Sequence, residues 1–94
     1  MTLTYETAQA WVGDRFEIEL SGEPIALKLE TADRLGSHSP REGGAFSLVF
    51  EGPREPALEQ ATYPLSHSEE GRVDIFLVPI GQSDTAMSYE AVFN

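Results

Sequence analysis

Residues 15–32 read RFEIELSGEPIALKLETA. Phe16, Ile18 and Leu20 alternate with Glu17 and Glu19; after the turn sequence SGEP, Ile25, Leu27 and Leu29 alternate with Ala26, Lys28 and Glu30. Successive side chains of a strand point to opposite faces, so this period of two puts one apolar row inside and a polar row in water. A helix would need apolar recurrence at three and four residues, which the stretch lacks. It predicts a β-hairpin with strands over about 14–20 and 24–32.

The same period returns along the chain. AFSLVFE predicts a strand over about 45–51, TYPLSH one over 61–66, RVDIFLVPI one over 72–79 and MSYEAVFN one over 87–93. Pro64 donates no backbone hydrogen bond, which argues for an edge position or an irregular strand there. The unbroken apolar run Ile75–Ile80 argues for burial on both faces. The turn IGQSDTA folds the last strand back antiparallel onto residues 72–79, and deleting that strand is expected to unfold the protein. LGSHSPREGG, residues 35–44, is a long polar loop. Only residues 4–12 carry a helical pattern, with Tyr5, Ala8, Trp11 and Val12 on one stripe, Thr4 as N-cap and Gly13 as stop. The expectation is one mainly β domain over residues 1–94: an antiparallel six-stranded roll, barrel or compact sandwich, with a short N-terminal helix packed on it or closing one end.

Alternation sorts the apolar residues into two sets. Phe16, Ile18, Leu20, Ile25, Leu27, Leu29, Phe46, Leu48, Phe50, Val73, Ile75, Leu77, Tyr89, Ala91 and Phe93 form an inner set. Val49, Phe76, Val78 and Val92 fall on the opposite face of three strands and need a cover of their own. That cover is either the N-terminal helix or a second subunit or partner protein, for which these four residues are the candidate interaction site.

Composition excludes several classes of function. With 94 residues and no cysteine, the chain has no disulfide, thiolate zinc site or thiol nucleophile. At 10.3 kDa, surface scaling gives about 5,400 Å² folded against about 15,000 Å² unfolded, enough burial for one unaided core. Sixteen acidic residues against six basic ones give a formal charge of −10. Nucleic acid and anionic membranes are therefore poor partners. The opening MTLTYETAQAW lacks the basic and apolar regions of a signal peptide, and no stretch approaches the about 20 apolar residues of a membrane span. A soluble protein is expected, without membrane insertion, either cytoplasmic or part of an assembly without a signal peptide.

Chemistry-bearing patterns are sparse. No Gly-x-Ser-x-Gly elbow is present, and neither LGSHSP nor GQSDT supplies one. HSEEG puts His67, Glu69 and Glu70 in a turn with Asp74 on the next strand; imidazole with carboxylates is zinc or manganese chemistry, but the spacing matches no established metal loop. The bland reading is a histidine that closes a strand by bonding to backbone. His38 falls in the polar loop, and Glu17 and Glu19 share an outward face of their strand. No nucleotide, calcium or HExxH motif appears. No cofactor and no catalytic residue is expected; a small-ligand or metal-binding module is the alternative to an interaction module, and a small hydrolase is less favoured.

RFEIELSGEPIALKLETA, FSLVFEGP, TYPLSH, LVPIG and YEAVFN, in that order, resemble the bacterial domain-of-unknown-function family 6916 over most of residues 13–94. The resemblance implies a small all-β domain with no assigned activity and no motif to carry over as catalytic. It also implies a weak association with phage-tail-like or tail-collar-like bacterial proteins, in which the chain would be an accessory.

Overall fold

The computed structural model describes residues 3–20, 22–36, 44–55, 57–69 and 71–93; His38, Glu70 and most of the loop 35–44 lie outside them. One helix, α1 (Tyr5–Ala10), precedes six strands: β1 (Arg15–Leu20), β2 (Glu23–Gly36), β3 (Ala45–Pro53), β4 (Ala61–His67), β5 (Gly71–Gln82) and β6 (Ala86–Phe93). All neighbouring strands are antiparallel and close into a barrel in the order β1-β2-β3-β6-β5-β4. The chain thus makes two three-stranded meanders, joined by residues 54–60, and the meanders meet along the β1/β4 and β3/β6 seams. The mainly β expectation is realised as a barrel, with the helix closing one end.

The seams differ in strength. β3 and β6 are in register over eight pairs, from Phe46↔Phe93 to Pro53↔Ala86. β1 and β4 share two, Phe16↔His67 and Glu17↔Ser66. Pro64 lies just beyond the point where that short ladder stops, so it sits inside a closed barrel at the one place where a missing donor costs little. β6 is therefore held on both sides, by β3 and by β5.

The inner row supplies the core. Phe16, Ile18, Leu27, Leu29, Phe46, Leu48, Phe50, Leu65, Ile75, Leu77, Tyr89 and Ala91 are fully buried. Phe16 meets Phe50 edge-on at 5.5 Å, and Phe46 stacks on Phe93 at 4.7 Å, geometries that suit the ring quadrupole. Gly52 belongs to this row, and a Cβ there would run into the Leu27 side chain and lie 3.5 Å from the Tyr89 ring. The alternation of β2 breaks at a bulge between Leu29 and Thr31. The extra residue moves the inward row from odd to even positions, which is why Ala32 is buried while Thr31 is exposed.

Both barrel ends are plugged. Thr4 caps α1 by accepting the Thr7 N–H at 3.2 Å, and Gly13, at φ +93°, ends the helical segment in a conformation side chains rarely adopt. Gly13 N–H then donates to Leu29 O at 2.7 Å and Leu29 N–H to Asp14 O at 3.1 Å. This fixes the helix over the end where β1 starts, with Leu3, Ala8 and Trp11 in the core. At the other end, the connection from β3 to β4 inserts Leu58, whose backbone N–H donates to the buried Tyr89 hydroxyl at 2.8 Å.

Two expectations are corrected. The helix does not cover the second apolar set: its stripe faces down the barrel axis, and its backbone approaches β2 and β3 alone. The run Ile75–Ile80 is buried on one face, with Ile75 and Leu77 inside but Phe76 and Ile80 half exposed, because a six-stranded barrel has one apolar side and, among the described residues, no element packs outside β5.

Candidate functional site

The outer face of β3, β6 and β5 carries the four residues singled out from sequence. Val49 pairs with Glu90 across β3 and β6, and Glu90 pairs with Val78 across β6 and β5. Two residues along, Ser47 opposes Val92, and alternation puts Phe76, two residues before Val78 on β5, on the same outer face. Phe76 is 50% exposed and Val92 48%, while Val49 and Val78 are half-buried. Ile80, at the bulge between Pro79 and Gly81, is equally open. Isolated apolar residues are ordinary on a surface, but adjacent ones on one sheet face form a patch that water solvates poorly. The sequence reading missed Glu90, the carboxylate set in the middle of this patch, and Ile80. Strict alternation over Phe76, Val78 and Ile80 was the signal that could have found the latter.

Polar chemistry concentrates elsewhere, over the β1/β4 seam. Asp14, Arg15, Glu17, Glu19, Pro24, Ser66, His67, Ser68 and Glu69 line an open groove of about 570 Å³. His67 Nε2 lies 2.7 Å from Asp14 Oδ2, and His67 Nδ1 accepts the Glu69 N–H at 3.3 Å. Because Nδ1 is an acceptor, the proton belongs on Nε2, which donates to the carboxylate. The ring is buried, stacks on Trp11 at 4.9 Å and tilts against Phe16 at 5.0 Å.

That arrangement is a latch. A general base must offer an unprotonated nitrogen to its substrate, and in this ring one nitrogen receives a backbone N–H while the other faces Asp14. What the pair does is tie the start of β1 to the end of β4, where the ladder is shortest. The metal reading finds no support in the geometry: His67 points into the barrel, whereas Asp74, one residue out of phase with the inward Val73 and Ile75, is exposed and lies 3.8 Å from Arg72. Glu69 meets His67 through its backbone. Among the described residues, no three histidine or carboxylate side chains converge. Asp14, the true partner of His67, is 53 residues away, and no local pattern announces it.

A closed six-stranded antiparallel barrel, plugged at each end and bearing a partly exposed apolar strip, defines the class of protein. A family model described as a domain of unknown function (DUF6916) matches residues 3–93, and the chain belongs to that family. No curated protein and no solved structure matches it. No described helix is long and apolar enough to cross a membrane.

Proposed function

We propose that the protein is a non-catalytic interaction module whose contact face is the outer surface of β3, β6 and β5. The observation that carries this reading is that Phe76 and Val92, each about half exposed, share one outer face of the barrel with Val49 and Val78, which the register joins through Glu90. Among the described residues, Leu3, Ala8 and Trp11 fill one end of the barrel and Leu58 the other, which favours a contact on the outer face over a ligand in the core. An accessory role in a tail-like assembly, which the family resemblance implies, is one setting that would use such a face.

The test is a paired capture from the source organism, with the wild-type protein and a Phe76→Ser/Val92→Ser variant as baits. These changes lie at exposed positions and should leave the fold intact by circular dichroism. A partner retained by the wild type and lost by the variant, cross-linked to β5 or β6, supports the reading. Identical capture by the two baits, or cross-links confined to the β1/β4 groove, contradicts it.

A further inference from the structure

We infer that the partner surface is apolar at its centre and rimmed by lysine or arginine; the inference rests on the contact face proposed above and names the chemistry of its occupant. Four carboxylates frame or punctuate the strip. Glu90 lies between Val49 and Val78 in register. Asp33 is opposite Ser47, Glu51 opposite Ser88, and Asp74 opposite Pro64, each one strand or one pair from the apolar residues. Among the described residues, two cations lie near this frame, both already engaged: Arg72 faces Asp74 at 3.8 Å, and Lys28, opposite Glu51 in the β2/β3 register, lies 3.7 Å from Glu30.

This charge arrangement selects among occupants. A second copy docking through the same patch about a two-fold axis would bring each Glu90 towards the carboxylates of its twin, on top of a net charge of −10 per chain. An acidic partner meets the same penalty. A basic rim instead pairs Glu90 and its neighbours while the apolar residues bury Phe76 and Val92, so charge supplies orientation and rate, and burial supplies affinity.

The experiment uses three fluorescein-labelled amphipathic peptides of equal length, one face of each being leucine with lysine, leucine with glutamate, or serine with lysine. Fluorescence anisotropy reads their binding to the full chain. The leucine/lysine peptide should bind, with affinity about tenfold weaker for Glu90→Lys and at least about tenfold weaker for Phe76→Ser/Val92→Ser, and weaker again when salt shortens the screening length. Equal binding of the leucine/glutamate peptide overturns the basic rim while leaving the contact face standing. Equal binding of the serine/lysine peptide, or indifference to Phe76→Ser/Val92→Ser, shows mere attraction to an acidic molecule and overturns both. A dimer in sedimentation velocity that Phe76→Ser abolishes overturns the basic partner in favour of a second copy.

Discussion

Replacing His67 by phenylalanine keeps a ring between Trp11 and Phe16 but removes the polar contacts to Asp14 and Glu69. A hydrogen bond to a charged group contributes about 1.5–3 kcal/mol when buried. Asp14 is 45% exposed on its side chain and regains water in the variant, so the loss should be about 1–2 kcal/mol. His67→Ala also empties the ring's site beside Trp11 and Phe16, and should cost about 3–5 kcal/mol in all. For a domain of this length each kcal/mol moves Tm by about 4–8 °C, so His67→Phe lowers it by about 5–15 °C. Asp14→Asn, which keeps an acceptor, should cost under about 1 kcal/mol. Urea titration followed by circular dichroism measures these values, and fluorescence of the single tryptophan, Trp11, reports the seam. Hydrogen exchange should quicken at Phe16, Glu17, Ser66 and His67 before the β3/β6 seam. The latch is refuted if His67→Phe stays within about 0.3 kcal/mol of wild type, or if His67→Phe and Asp14→Ala add without coupling in a double-mutant cycle.

Three further outcomes follow from the packing. Tyr89→Phe strands the buried Leu58 N–H and should cost about 1–3 kcal/mol by urea titration; Leu58→Ala should diminish that effect, since the connector then loosens. Gly52→Ala forces a methyl group into the Leu27 side chain and should cost about 1–3 kcal/mol, relieved in part by Leu27→Val. Burial pushes the Tyr63 phenol up, with the Glu59 carboxylate and Tyr89 adding to it. A raised folded value favours the neutral phenol, so its contribution to stability is whole below pH about 10 and is lost as pH rises through the folded value. An alkaline absorbance titration should show a tyrosinate step above that of free tyrosine, and Tyr63→Phe should reduce its amplitude.

Much of the barrel is legible from particular residues. Phe16, Ile18, Leu27 and Leu29 lie inside because a pleated strand leaves them no other choice, and the alternation of Tyr89, Ala91 and Phe93 marks the last strand as structural. The β2 bulge is less legible, since LETAD carries no glycine or break to announce the shift that turns Ala32 inward. Leu58, alone in the polar connector REPALEQA, has no periodic neighbours to identify it as a plug. The helix stripe says that α1 must bury Ala8 and Trp11 but is silent on whether it caps an end or covers a face. For the candidate site, Val49, Phe76, Val78 and Val92 are legible because alternation fixes their side of the sheet. The His67–Asp14 pair is not, because it exists only through closure of the β1/β4 seam.

The most direct test of the contact face is a valine-methyl NMR titration of the full chain with the captured partner. The chain has five valines: Val49, Val78 and Val92 lie on the proposed face, while Val73 lies on the inner row and Val12 beside the helix. The methyl signals of Val49, Val78 and Val92 should shift or broaden while those of Val12 and Val73 stay in place; movement of Val12 with Val78 and Val92 unchanged would contradict the contact face.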